Sequence, residues 1–308
     1  MACAAPLNAS AQEWPTKPVR VIVAFPPGGF GDVVARSVQS QLQQSLRQPV
    51  IIDNRGGAGG NIAAAEAARA QDGHTFLLTA STTESVNPLI YPSMGVDFPR
   101  ALQHVGIMAK LQSFLFARPT LPAASLGEFM QYARTANKLS YGSAGSGTNL
   151  HLAGELFKRQ GRFEAVHVPY RGAAAGLQDV AAGQVDFMFG PATAMSLVRG
   201  GKLKVYGVAS ETRSTSYPEV PTLSELGLPE VQVDSYFVLY APASMPAAAV
   251  QRLNKEVNRA VELPDVRSRF ADLGAMPLPT SPDESRRLVQ LEAQKFAEII
   301  RLGSIKPD

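Results

Sequence analysis

A chain of 308 residues has room for two domains of about 150 residues each. Its 45% hydrophobic and 18% charged residues supply a full core and exclude a disordered ground state. The net charge of +3 comes from scattered Lys and Arg, and the densest clusters (Lys158, Arg159 and Arg162; Arg199, Lys202 and Lys204) lack interleaved aromatics, which argues against a nucleic-acid surface.

In chain order, the first segment ends in Ala9-Ser10-Ala11, a small-x-small pattern like the end of a secretory signal, without a charged or long apolar region before it. A flexible tail and the remnant of an export signal both fit. The second is preferred, so residues 1–11 are read as a remnant that carries the lone Cys3, with lipid modification of Cys3 as a minor alternative. One cysteine leaves neither an intrachain disulfide nor a Cys-based metal cage.

From Lys17 onward strand and helix signals alternate, which predicts parallel sheets with crossover helices. Val19–Phe25 is short, β-branched and stopped by Pro26-Pro27-Gly28-Gly29. Val34, Val38, Leu42 and Leu46 then recur at helical spacing. Val50–Asn54 reads as a strand, Asn61–Ala70 as an alanine-rich helix and Thr75–Ala80 as a third strand. A second half repeats the pattern: a helix opened by the Ser125/Glu128 capping box, a strand over Leu139–Ser143, and a helix carrying Leu152, Leu156 and Phe157. Strand, helix and strand follow over Ala165–Pro169, Gly172–Ala182 and Val185–Phe189, and Leu203–Ala209 adds another strand. Val231–Tyr240 is extended, and helices follow near Pro246–Val261, Asp265–Leu273 and Pro282–Leu302. The expectation is an α/β protein of two Rossmann-like lobes joined by crossover strands. Residues 12–116 with 236–308 are assigned to lobe 1, and residues 117–235 to lobe 2.

Two strand–glycine loop–helix units stand out, Phe25-Pro-Pro-Gly-Gly-Phe-Gly-Asp32 and Tyr141-Gly-Ser-Ala-Gly-Ser-Gly-Thr148. Such loops lie at the carboxyl ends of strands, where wound sheets bind ligands. Glycine permits close backbone approach and the following helix presents unpaired N–H groups, so an anion can be held without Lys or Arg. The alternative is that the glycines only make tight turns; two matched loops weigh against it.

Enzyme motifs fail at these loops. Thr148 stands where a P-loop needs lysine, Gly145-Ser-Gly147 lacks the third glycine of a dinucleotide fingerprint, and neither Ser143 nor Ser146 sits in G-x-S-x-G. Asp32 reads as a helix cap rather than a general base, and no reacting carboxylate pair is visible. His151 and Glu155, four apart on a helix, have no third ligand nearby and read as a surface pair rather than a metal site. No catalytic residue, metal or cofactor is expected.

The chain resembles the extracytoplasmic solute receptors of tripartite tricarboxylate transporters, the Bug receptors of Bordetella and relatives. The markers run from Trp14-Pro-x-Lys-Pro through Phe25-Pro-Pro-Gly-Gly-x-x-Asp32, Ala35-Arg36, Gln48-Pro-Val and Asn54-Arg55-x-Gly-Ala-Gly-Gly60. They continue with Asp72-Gly73, Asn87-Pro88-Leu89, Tyr91, Tyr141-Gly-Ser-x-Gly-x-Gly147, His151-Leu-Ala and Glu155-Leu-Phe-Lys158. His167-Val-Pro-Tyr-Arg-Gly172, Gly201-Lys-Leu, Val220-Pro-Thr222 and Pro264-Asp-Val-Arg267 complete the set. Each fragment is weak; their order over nearly the whole chain is specific.

The resemblance implies a type II periplasmic-binding-protein fold whose lobes close on a small carboxylate. It nominates Phe25, Pro27, Gly28, Gly29 and Asp32 of the first loop, with Ser81, Thr82 and Thr83 at the end of the third strand. On the second lobe it nominates Ser143, Gly145, Ser146, Gly147 and Thr148. Tyr170, Arg171 and Gly190, at further strand ends, would read the ligand's distal group. His151 either touches ligand or supports the loop. Gly31 stands where the family often carries a hydroxyl, and Gly56 replaces a common proline. Phe30 either turns toward an apolar or aromatic acid, or packs on its helix. The implied function is a periplasmic receptor, monomeric and without chemistry of its own, that passes a di- or tricarboxylate, amino acid or aromatic acid to the transporter's membrane subunits. A sensory receptor that signals to a membrane partner is the alternative, and an enzyme with an unrecognised site is a remote third.

Overall fold

The structure, a computed structural model, describes residues 14–136 and 138–303. The reading of residues 1–11 and Cys3 lies outside the described residues.

Two sheets carry the fold. The first holds β1 (Val19–Val23), β2 (Val50–Asn54), β3 (Thr75–Ala80) and β4 (Leu102–Leu111). The chain then crosses into the second sheet, which holds β5 (Phe114–Ala117), β6 (Ser140–Ser143), β7 (Val166–Pro169), β8 (Phe187–Gly190) and β9 (Lys204–Val208). It returns to the first sheet as β10 (Ser235–Pro242) and β11 (Ala275–Pro277). The orders are β11-β4-β10-β3-β1-β2 and β7-β6-β8-β5-β9. This is the two-lobe periplasmic-binding fold, with the strands of the first wound half (β3-β1-β2) forming one side of the first sheet and those of the second half (β7-β6-β8) one side of the second.

The sheets are not wholly parallel, as the alternation of signals had suggested. β1 pairs in parallel with β2 and β3, and β6 with β7 and β8. The strands at the two crossings, β10 against β3 and β4 and β5 against β8 and β9, run antiparallel. A parallel neighbour needs a helical return over the same sheet. Only Gln112 and Ser113 separate β4 from β5, so the chain passes straight on into the next sheet instead of turning back.

Periodicity explains the helices. Phe30–Leu46 buries Val34, Ala35, Val38, Leu42 and Leu46, one stripe against the first sheet. In Leu126–Thr135 the capping box forms: Ser125 Oγ accepts the Glu128 N–H at 3.2 Å. Such a cap stabilises a helix by about 1 kcal/mol. Asn149–Gly161 is capped likewise by Thr148, whose Oγ1 accepts the His151 N–H at 3.4 Å.

Two elements reach across the division between sheets. Val86 and Ile90, which follow β3, belong to the apolar core of the second sheet, with Phe129, Phe157 and Phe187. The C-terminal helix Pro282–Gly303 places Val289 in a core of the first sheet, but Phe296, Ile299 and Ile300 in that of the second.

Candidate functional site

The first loop turns sharply out of β1. Gly28 takes φ +75°, a left-handed conformation that other residues adopt only with strain, and Gly29 donates its N–H back to Pro26 O at 3.0 Å. Asp32 is the brace. Its buried carboxylate accepts the Gly28 N–H at 2.9 Å and both its oxygens accept Arg36 Nε, at 2.9 and 3.0 Å. Asn54, at the end of β2, completes the frame: its Nδ2 donates to Phe25 O at 3.0 Å while its Oδ1 accepts from Arg36 at 3.3 Å. Burial works to raise the Asp32 pKa, but hydrogen bonds from Arg36, Gly28 and Asn54, with the Arg36 charge, bring it below the usual value. Asp32 therefore shapes the loop from behind. Pro27 and Gly28 lie exposed at its tip, and Phe25 and Phe30 are half-buried at its base.

The second loop is stiffened from within. Ser143 Oγ donates to Gly145 O at 3.1 Å and accepts the Gly145 N–H at the same distance. Thr148 Oγ1 donates to Gly145 O at 2.7 Å. Gly147, at φ +79°, donates its N–H to His151 Nδ1 at 3.1 Å. His151 in turn stacks on His167, with ring centroids 3.7 Å apart and planes 9° from parallel, and His167 Nε2 lies 2.7 Å from Ser143 Oγ. His151 and Ser146 are buried. His151 does not lie on the surface as expected of a pair with Glu155: it is buried under the loop, its Nδ1 accepting the Gly147 N–H, while Glu155 accepts from Tyr141 and Lys158.

The remaining nominated residues fall into three places. Ser81, Thr82 and Thr83 are buried at the exit of β3. Thr83 Oγ1 lies 2.7 Å from Thr79 Oγ1 and donates to Gly59 O at 3.1 Å, and Ser81 Oγ donates to Glu292 Oε1 at 2.7 Å. Tyr170 sits beside Gly145, its N–H on Ser143 O at 3.1 Å and its hydroxyl on Asp179 at 2.7 Å, and Arg171 next to it is exposed. Gly190 is buried opposite Phe114 in the second sheet, under Leu177.

The structure brings the second loop against the segment that follows β3. A Cβ on Gly147 would fall 2.1 Å from Ile90 Cδ1 and 3.6 Å from Val86. The first loop instead meets β10: the rings of Phe25 and Phe30 lie 5.5 and 4.6 Å from that of Phe237. The sequence marks Arg36 and Asn54 only as parts of the family resemblance, without a role, and gives no site signal for Phe237 or Glu292. A cavity of about 380 Å³ beside Lys158, Arg159 and Arg162 shares no residue with either loop. It lies at the far end of the helix that the second loop heads, where cations complement the helix dipole.

The site thus offers two helix N-termini, each behind a braced glycine loop at the carboxyl end of a parallel strand, one from each sheet. Helix N-termini behind glycine loops are a common anion-binding arrangement; here the N–H groups of Gly28, Gly145 and Gly147 are bonded within their own loops.

Comparison with known proteins agrees with this architecture. The family model described as "Tripartite tricarboxylate transporter family receptor" matches residues 34–304. Protein BugT of Bordetella pertussis is 34% identical over 297 residues, 95% of this chain and 91% of the relative. Rhodopseudomonas palustris Rpa4515, solved with adipate, superposes with a TM-score of 0.90 at 31% identity, covering 96% of this chain and all of that one. MatC from the same organism, solved with malate, gives 0.84 at 33% identity, covering 93% of this chain and all of that one. The chain belongs to the tripartite tricarboxylate transporter receptor family.

Proposed function

We propose that this protein is a periplasmic receptor that captures a small carboxylate between its two lobes and delivers it to the membrane subunits of a tripartite transporter, without chemical conversion. The observation that carries the reading is the pair of glycine loops, one on each sheet, each braced by its own side chains: Asp32, Arg36 and Asn54 behind one, His151 and His167 behind the other. The related proteins solved with adipate and malate support a carboxylate as the ligand. Helix-end attraction for an anion is worth about 0.3–1 kcal/mol, and about 2 when partly buried, so backbone hydrogen bonds must supply much of the grip.

In this reading the lobes are residues 12–116 with 236–308, and residues 117–235, the first boundary falling inside β5, whose residues all pair in the second sheet. A ligand that touches both binds the closed form best and shifts the balance toward it. The second loop then receives the carboxylate at Gly145, Ser146, Gly147 and Thr148, the Gly145 and Gly147 N–H groups exchanging their bonds to Ser143 and His151 for bonds to the ligand, while Pro27 and Gly29 cover it from the first. Tyr170, Arg171 and Gly190 then lie toward the ligand's far end.

A thermal-shift screen of di- and tricarboxylates, amino acids and aryl acids tests the binding step. At ligand concentrations about a hundred times Kd the folded state gains about 2.7 kcal/mol, a rise of several degrees in Tm. A flat response to every acid overturns the reading. Co-purification of the acid-loaded protein with transporter membrane subunits, against a sensor kinase as comparison, tests delivery.

A further inference from the structure

Two amides of the second loop end on one pair of imidazoles. The Gly147 N–H is donated to His151 Nδ1 at 3.1 Å. The Gly145 N–H is donated to Ser143 Oγ at 3.1 Å, and that oxygen lies 2.7 Å from His167 Nε2. The two rings stack face to face, with centroids 3.7 Å apart and planes 9° from parallel, and His151 is buried.

Titratable groups surround the stack on several elements. Tyr141 of β6 packs beside it, its ring centroid 4.9 Å from that of His167 and 6.2 Å from that of His151. On the helix of His151, Glu155 is engaged by Lys158 Nζ at 2.9 Å and by the Tyr141 hydroxyl. Past the end of β7, Asp179 is engaged by the Tyr170 hydroxyl at 2.7 Å. From the segment after β3, the apolar Val86 and Ile90 meet Gly147, with Tyr91 next in the chain. Both acids thus carry partners of their own.

The acceptor at Nδ1 decides what the loop can give. A neutral imidazole that accepts at Nδ1 carries its proton on Nε2. If a carboxylate takes the Gly147 N–H, such a ring keeps a buried acceptor without its donor, which is costly. A proton on Nδ1 removes that cost. The doubly protonated ring has no lone pair for the N–H, and its positive charge lies behind the loop that receives the anion. Stacking lets only one of the two rings carry the charge, because two like charges 3.7 Å apart repel strongly.

Resting on the receptor reading above, we propose that His151 is a positioning residue that couples capture to protonation: the carboxylate and one proton from solvent bind together, the proton on His151 Nδ1 and the carboxylate on the Gly147 N–H thereby released.

Calorimetric titration of the whole protein at pH 7 in phosphate and in Tris, whose ionisation enthalpies differ, counts the protons. Malate, adipate, citrate, glutamate and benzoate are the probes, and the tightest binder among them is carried through. The wild type should take up between about half a proton and one proton per acid bound, and its affinity should fall by up to about tenfold per pH unit above pH 7. His151→Asn keeps an acceptor for the Gly147 N–H but cannot take the proton, so uptake should vanish and the affinity should lose that pH dependence. His167→Gln, with His151 in place, should still take up the proton. Glu292 is common to all three proteins, so its titration cancels in the comparison. Binding to the wild type without proton uptake overturns the inference and leaves the receptor reading standing; it is the result expected of a neutral ring that only moves its proton from Nε2 to Nδ1. Equal uptake by the wild type and His151→Asn overturns it as well. If no acid binds the folded protein, the receptor reading itself fails, and this inference with it.

Discussion

Ser81 and Glu292, 211 positions apart in the chain, are joined by a 2.7 Å hydrogen bond in which the serine hydroxyl donates to a buried carboxyl. Ser85 donates to the other oxygen of Glu292 at 2.8 Å, and Ser81 Oγ also accepts the Tyr236 N–H at 3.2 Å. One side chain of the C-terminal helix therefore ties together the exit of β3, the turn that carries Val86 and Ile90, and the returning strand β10. The carboxyl sits at the junction of the two cores, where the chain's two crossings also run.

That position has a pH signature. Burial pushes the Glu292 carboxyl from its ordinary 4.5 up to about 8; the two serine hydrogen bonds oppose this, and the charges of Glu84 and Asp234 reinforce it. The native state then holds a proton that the unfolded chain releases. Its stabilising contribution is complete below about pH 4.5 and is lost as pH rises toward 8. Glu292→Gln keeps a hydrogen-bonding side chain of the same shape without the titration. Urea unfolding at pH 5 and pH 8 should show the wild type losing more stability than the variant over that interval. Parallel loss in both proteins would contradict the assignment.

Much of this was legible in the sequence, for definite reasons. The first wound half could be read because β1 and β2 are short β-branched runs, β3 is a short apolar run that starts two residues after Gly73, and Val34, Val38, Leu42 and Leu46 keep one stripe. Leu102–Leu111 gave no such signal: buried on nearly all positions, it shows neither alternation nor a sharp stop before Phe114. The antiparallel pairing of β10 depends on where the chain crosses between sheets, which no local pattern records. Glu292 escaped notice because a glutamate in an amphipathic helix ordinarily faces solvent. Its place on the buried stripe of Ser285, Val289 and Phe296 was the available clue. Phe237 was hidden inside an apolar run in which every residue looked alike.

Asp32 separates loop shaping from ligand contact. Replacing it by Ala leaves the Gly28 N–H and the Arg36 guanidinium without their shared acceptor; both are exposed, so water replaces part of it and the loss is about 0.5–1.5 kcal/mol. The fold should survive, with a lower Tm, while carboxylate affinity falls about tenfold or more because the first loop no longer holds its turn. The Asp32 pKa lies below its ordinary 3.8, so its stabilising effect is present above that pH and disappears as pH falls through the lowered value. Wild type and Asp32→Ala should accordingly differ in unfolding midpoint at neutral pH and converge in strong acid. A constant difference down to the acid limit would assign the loss to packing instead of charge.

Gly147 offers the sharpest test of how the second loop is seated. Its φ of +79° favours glycine, and a methyl group there would overlap Ile90 Cδ1 at 2.1 Å. Two penalties therefore add in Gly147→Ala: about 1–2 kcal/mol for a left-handed non-glycine residue and about 1–3 kcal/mol for overpacking against Ile90. Only the second is relieved by trimming Ile90. In a double-mutant cycle followed by urea unfolding, Ile90→Ala should cost clearly less in the Gly147→Ala background than in the wild type. Ligand affinity should stay low in the double variant, since the strained backbone still misdirects the N–H that Gly147 gives to His151. Equal costs of Ile90→Ala in both backgrounds would mean that the loop is not packed on this segment in solution. Full recovery of binding in the double variant would show that Ile90 contact alone, and not the glycine conformation, is what the site requires.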